Sequence, residues 1–313
     1  MLSISCDCSG IEAPIEALKQ MKIEFNHLWS CDNNKDVKES IEANYEPNKF
    51  FDNIITRKNS SLKEFKNKVD IYVAGFPCQA FSSLGQKKGF KELEGNIFFQ
   101  CFKTIKYTKP KVYILENVKN LLHHDNGKTF KTICQFLDSL KNYDYYYKIL
   151  NTKDFNIPQS RPRLYIVGIM KDQKIKDFSF PNKIKATKTV KDFVDKKFNT
   201  SKYRTEPTKY VRKRSPKKVQ LSNKILITTP DTWGKINTVK FPCITTSGAI
   251  YLINQQRYLQ VPELLKLQGF SKKFKQVISD SKMKKQIGNT MSVNVLKVLF
   301  KKIFQSTKLQ NNK

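Results

Sequence analysis

Acidic residues are scarce in this 313-residue chain: 27 Asp and Glu stand against 58 Lys and Arg, a formal net charge of +31 at pH 7. Such an excess points to a polyanionic partner, most simply nucleic acid, although a lysine-rich coding bias produces the same count. Long hydrophobic runs are absent. None approaches the roughly 20 residues of a membrane span, so no membrane association is expected. The opening Met1–Cys8 stretch lacks the basic and apolar regions of a signal peptide, and an intracellular protein is expected. Seven cysteines are too few for a disulfide scaffold, and the odd number fits free thiols in a reducing compartment. Histidine is limited to His27, His123 and His124, and Cys6-x-Cys8 has no second pair at ligand spacing, so no metal site is expected. What remains is sufficient for a packed core: 39% of residues are hydrophobic and 12% aromatic, which excludes general disorder. The length fits one large domain or two smaller ones.

Short apolar runs alternate with helical patterns through the first half. Strands are predicted at 2–6, 27–30, 69–74, 111–115, 143–150 and 163–169. Helices are predicted at 12–21, 35–43, 97–107 and 129–140, with Pro14 in the first turn of the earliest one. This alternation predicts an α/β fold, a doubly wound and mostly parallel sheet whose ligands sit at the carboxyl ends of the strands. From 171 to 256 the rhythm is lost and the charge density rises, with 20 Lys and Arg against 6 Asp and Glu. A separate small lobe is expected there. Helical spacing returns at 261–268 and 291–304.

Several polar groups fall at predicted strand ends. Ser9-Gly10-Ile11 follows the first strand; a glycine there admits a ligand to the helix N-terminus or merely makes a tight turn. Asp32 ends the second strand, where a carboxylate suits a ribose diol or caps the next helix. Asp52 ends a further short run. Pro77-Cys78-Gln79 follows a buried strand and puts a thiol on a loop, either as a nucleophile or as an inert half-buried cysteine. Glu116, with Asn117 and Val118, reaches the same edge from the next strand and could act as an acid. Gln159-Ser160-Arg161-Pro162-Arg163 supplies two guanidinium groups.

In this order, these motifs resemble the cytosine-C5 DNA methyltransferase family. Arg257-x-Leu259, Glu263, Leu267-Gln268-Gly269-Phe270 and Gln286-x-Gly288-Asn289-Thr290 with Val293 extend the resemblance nearly to the end of the chain. The sequence departs from the family where Asp-Leu-Phe usually precedes the small residue and Gly; here Cys6, Asp7 and Cys8 stand. It also has Asn33 after the second-strand carboxylate and Glu94 where Arg is common.

The resemblance implies a Rossmann-like methyltransferase fold, with 1–170 plus 257–313 as a discontinuous catalytic domain and 171–256 as a basic target-recognition domain. It implies S-adenosyl-L-methionine as methyl donor, with Cys8, Gly10, Ile11, Asp32, Asn33, Asp52, Asn53, Pro77, Ile97, Asn289 and Thr290 around it. Cys78 would add to C6 of a cytosine turned out of the duplex, Glu116 would meet its N3 and amine, and Arg163 its O2, with Arg161 among the catalytic residues. Tyr203, Arg204, Arg212, Arg214 and Trp233 would be base-reading candidates by residue type. The implied partner is double-stranded DNA, with a cognate restriction endonuclease acting separately and the enzyme itself a monomer. Two other readings stay open: a tRNA cytosine-C5 methyltransferase, and a catalytically silent nucleic-acid binder of the same fold.

Overall fold

The computed structural model describes residues 1–77, 97–195, 227–228 and 238–309. The nucleophile motif from Cys78 onward, Glu94 and the five base-reading candidates lie outside them. By internal packing the chain forms two units. The first comprises Met1–Leu150, Pro162–Asn182 and Leu296–Lys313; the second comprises Asn151–Arg161 and Lys183–Val295.

The first unit is built on seven strands: β1 (Leu2–Asp7), β2 (Phe25–Cys31), β3 (Lys49–Phe51), β4 (Ile71–Ala74), β5 (Val112–Val118), β6 (Tyr143–Asn151) and β7 (Pro162–Met170). They lie in the order β3-β2-β1-β4-β5-β7-β6. β1 to β5 pair in parallel, and β7 runs antiparallel to β5. All four residues of β4, and all but the last of β5, are buried. These strands therefore read as continuous apolar runs rather than as alternating ones. Four helices follow strands in this unit's sequence: α1 (Ala13–Met21), α2 (Lys35–Asn44), α3 (Ile97–Thr108) and α4 (Lys128–Asp138). Pro14 opens α1, and the Asn34 side chain caps α2 by accepting from Asp36 N.

α3 buries Phe98, Phe99, Cys101, Phe102 and Ile105. Phe98 packs at 5.5 Å from both Phe76 and Phe99, and Phe99 meets Phe136 edge-on at 4.6 Å. Each such ring contributes roughly 1.5–3 kcal/mol by leaving water. The C-terminal segment belongs to this unit: Lys297 Nζ donates to Gln20 Oε1 at 3.3 Å, and Ile175 N donates to Ser306 O.

Among its described residues the second unit holds three two-residue strands, β8 (Ile227–Thr228), β9 (Tyr251–Leu252) and β10 (Arg257–Tyr258), with α5 (Val261–Leu267) and α6 (Asp280–Asn289). The last helix, α7 (Val293–Ser306), contains the boundary to the first unit. Charge density sets a lobe at 171–256, whereas packing sets the boundaries at 182 and 295 and adds residues 151–161 to the second unit. Hydrogen bonds account for that difference. Gln159 donates to Leu267 O at 2.7 Å and accepts from Ile244 N at 3.2 Å. Arg257 forms a buried two-point ion pair with Glu263, at 2.7 and 2.8 Å. Glu263 also accepts from Gln260 N and so closes the capping box of α5. Among the described residues no helix is long and apolar enough to cross a membrane.

Candidate active site

The strand register aligns the predicted groups. Phe51, Cys31, Asp7, Ala74 and Leu115 form one row across β3, β2, β1, β4 and β5. The next residue on each strand is Asp52, Asp32, Cys8, Gly75 and Glu116. Five strand ends thus deliver three carboxylates, a thiol and a glycine to one edge. The chain order reverses between β1 and β4, so the crevice between their loops is the topological switch point of the sheet, where doubly wound folds bind ligands.

At that crevice the first loop is sharply turned: Cys8, Gly10 and Glu12 all have left-handed backbones, with φ of 51°, 52° and 56°. Ser9 pins the turn to β2, donating to Cys6 O at 3.1 Å and accepting from Cys31 N at 3.0 Å. Gly10 N donates to Asp32 Oδ2 and Asn34 N to Asp32 Oδ1, both at 3.1 Å. Burial pushes the Asp32 carboxyl above its ordinary value, against the pull of those two N–H groups. Among the described residues a side chain at Gly10 would meet nothing within 4 Å, so they leave the space in front of this backbone open. Open space against a glycine, beside a carboxylate whose oxygens keep lone pairs, fits an adenosyl ligand whose ribose donates two hydroxyls.

Other expected cofactor residues vary in exposure. Ile11 is buried. Asn33 is exposed, and Asn53 Oδ1 is used by Ile55 N at 2.8 Å. Asp52 is 82% exposed and lies 3.5 Å from Lys38 Nζ. Cys8 is half-buried; hydrogen bonding to the Cys101 thiol and burial push its thiol up. Ile97 packs at the start of α3 against the aromatic core.

Glu116 and Arg163 come together. Arg163 lies opposite Val118 in the β5–β7 ladder, and its Nε is 3.3 Å from Glu116 Oε1. Asn117, beside Glu116, donates to Phe76 O at 2.7 Å. That buried bond fixes the backbone two residues before Cys78.

Arg161 lies elsewhere, in the interior of the second unit. It is 2% exposed and its guanidinium donates to Ile244 O (2.9 Å), Gly288 O (2.9 Å) and Thr290 O (2.8 Å). A Cβ at Gly288 would collide with Thr245 O, so the end of α6 lies flush against that backbone. Asn289 is exposed; Thr290 is buried and terminates α6.

One buried polar group has no mark in the sequence pattern. Asp7, at the departure from Asp-Leu-Phe, is buried and takes two 2.6 Å bonds from Arg57, with further bonds from Tyr72 (2.8 Å) and Trp29 (3.0 Å). Arg57 sits in a loop 50 residues away, where no periodicity marks it.

An α/β sheet with a glycine and a carboxylate at its switch point and a carboxylate–guanidinium pair at the same edge has the fold of a Rossmann-like methyltransferase. The family model described as C-5 cytosine-specific DNA methylase matches residues 1–305, and the chain belongs to that family. It is an enzyme of the DNA cytosine-C5 methyltransferase class, whose substrate is DNA. The type II methyltransferase M.HaeII of Haemophilus aegyptius is 35% identical over 253 residues, covering 78% of this chain and 76% of its own length. M.SsoII of Shigella sonnei is 35% identical across 98% of this chain and 80% of its own length. Among solved structures, the S. pombe Dnmt2 methyltransferase superposes with a TM-score of 0.72 over 97% of this chain and 99% of its own, at 18% identity. That likeness concerns the fold alone. The family match favours neither the tRNA-methylating reading nor the silent binder.

Proposed function

We propose that this chain transfers a methyl group from S-adenosyl-L-methionine to C5 of a cytosine held outside double-stranded DNA, by way of a covalent Cys78 adduct. The pairing of Glu116 with Arg163 at the switch-point edge carries the reading. Gly10, Asp32 and the loop before Cys78 would hold the donor, which when bound supplies an electrophilic methyl on sulfonium. Cytosine C5 is a poor nucleophile. Addition of the Cys78 thiolate to C6 breaks the C5–C6 double bond and puts electron density on C5. Glu116 holds N3 and the exocyclic amine and shares a proton as charge grows on N3. Arg163 holds O2 and, through its ion pair, orients Glu116. Once C5 carries the methyl group, loss of its remaining proton to water would restore the C5–C6 double bond and release the Cys78 thiolate.

Arg161 acts differently in this account: it positions the end of α6 by holding three backbone carbonyls and does not touch the base. Basic residues of the second unit neutralise phosphates, a term blind to sequence, while a few side chains there read base edges. A monomer acting beside a separate restriction endonuclease fits the type II relatives.

The test is methyl transfer by the purified protein from labelled donor to unmethylated duplex, followed by bisulfite sequencing, with tRNA in a parallel reaction. The expected result is protected cytosines at one recurring duplex sequence and no label in tRNA. Label in tRNA alone contradicts the proposal.

A further inference from the structure

Below the loop that carries Gly10, three metal-ligating side chains meet in the dry interior of the first unit. They are Cys6 of β1, Glu12 at the N-cap of α1 and His27 of β2. Cys6 is 1% exposed, Glu12 0% and His27 5%. One ligand atom from each, the sulfur, a carboxylate oxygen and an imidazole nitrogen, lies within 4.8 Å of the other two.

Two irregularities of the backbone bring them together. Glu12 is held in the left-handed region, at φ 56° and ψ 50°, which costs a non-glycine residue of order 1–3 kcal/mol. β2 carries a bulge: its register against β1 shifts between Ile4 and Ser5, so that His27 pairs with Ile4 and Ser30 with Cys6. In a regular strand, residues three apart face opposite sides. The bulge instead puts His27 and Ser30 on the face shared by Ile4 and Cys6.

Ser30 then sets the chemistry. Its hydroxyl donates to Glu12 Oε1 at 2.5 Å and lies 3.0 Å from His27 Nε2. With its proton committed to the carboxylate, the hydroxyl accepts from Nε2–H, and His27 Nδ1 carries the lone pair. Glu12 Oε2 and His27 Nδ1 have no hydrogen-bond partner among the described residues. Two buried acceptors left this way cost about 1–3 kcal/mol each, and such atoms call for a counterpart.

We propose that Cys6, Glu12 and His27 bind a divalent cation of the zinc type. A thiolate, an imidazole and a carboxylate form a borderline-soft donor set that suits zinc and not calcium or magnesium. Cys6 gives its thiol proton to solvent on binding, and its charge with that of Glu12 balances the metal's two. Tetrahedral zinc, with bonds of about 2.0–2.3 Å, holds its ligand atoms roughly 3.3–3.8 Å apart, so closure requires side-chain shifts of the order of 1 Å. The fourth position is left for water, and Ser30, bridging Glu12 Oε1 and His27 Nε2, orients both ligands. Because Cys6 and Glu12 bracket Cys8–Ile11, the metal fixes both ends of the turn that carries Gly10. The ligands come from a strand, a turn and a second strand, so no compact sequence spacing announces them, which is why the sequence alone argued against a metal.

X-ray absorption on wild-type protein purified with zinc and dialysed tests the site without any substitution. The expected result is one zinc per chain, with one sulfur at about 2.3 Å and nitrogen or oxygen at about 2.0–2.1 Å. Protein free of zinc, or zinc bound by several sulfurs or by none, overturns the proposal. Cobalt titration is the second arm. The thiolate-to-cobalt absorption band is expected in wild type and in Cys134→Ser, and lost in Cys6→Ser and His27→Gln. A band that survives both latter changes and disappears in Cys134→Ser also overturns it. Neither readout depends on the methyl donor, so failure here leaves the proposed reaction standing.

Discussion

Two arginines two positions apart do different jobs, and each is separable by measurement. Arg161 gives its guanidinium to three buried carbonyls of the second unit, while Arg163 reaches Glu116 at the sheet edge. Charged hydrogen bonds contribute about 1.5–3 kcal/mol each, and orphaned carbonyls add a penalty. Arg161→Ala is therefore expected to destabilise the fold by about 3 kcal/mol or more, seen as a fall in denaturation midpoint. Arg163→Ala is expected to leave the midpoint nearly unchanged and to cut the single-turnover rate at least a hundredfold, the scale of one lost transition-state donor. Asp32 offers a pH test. Its folded carboxyl titrates above the ordinary value because it is buried, so the folded state binds more protons than the unfolded one in that window, and acidification through it stabilises the protein. In the proposed donor site the same protonation would remove the acceptor for the ribose. Midpoint and donor affinity are thus expected to move in opposite directions as pH falls from the raised value toward the ordinary carboxylate value, and Asp32→Asn should abolish both slopes. Glu116 and Arg163 were legible in the sequence because each stands where an apolar run meets a polar residue. Arg57 was not, since its partner Asp7 is distant in sequence and its loop has no period.

At the scale of elements, the parallel strands were readable because burial on both faces leaves continuous apolar runs. β3 escaped as a strand because it has only three residues. α6 escaped because its sequence, DSKMKKQIGN, buries few apolar groups, chiefly Met283 and Ile287, too thin a stripe to mark a helix. Strand order was beyond sequence patterning altogether, yet it sets the switch point and hence the row Asp52, Asp32, Cys8, Gly75, Glu116. Asn117 of β5 holds Phe76 O, two residues before the proposed nucleophile. Asn117→Ala should lower the rate of a single turnover tenfold or more while donor affinity, read by calorimetry, stays within about twofold. Equal losses in both would mean that Asn117 supports the whole crevice and not the loop alone.

The molecule as a whole carries +31, and in the proposed function its two units divide the work. Counterion release makes affinity for duplex fall steeply with salt, with a slope near 0.9 per phosphate neutralised. Replacing residues 183–295 with the equivalent unit of a relative is expected to move the methylated sequence while the chemistry persists; an active hybrid that keeps its original target would show that recognition resides elsewhere. The charge shift lies near residue 171 and the packing boundaries at 182 and 295; the latter were hidden from the sequence because Gln159 and Arg161 reach residues some 80–130 positions later. The proposed chemistry turns on Cys78. Duplex carrying 5-fluorocytosine at the target, incubated with protein and S-adenosyl-L-methionine, should yield a denaturation-resistant protein–DNA complex, because fluorine cannot leave C5 as a proton does. Peptide mapping should place the link on Cys78, and Cys78→Ser should form none. Methylation of ordinary cytosine by Cys78→Ala at the wild-type rate, or a link on another residue, would contradict the account.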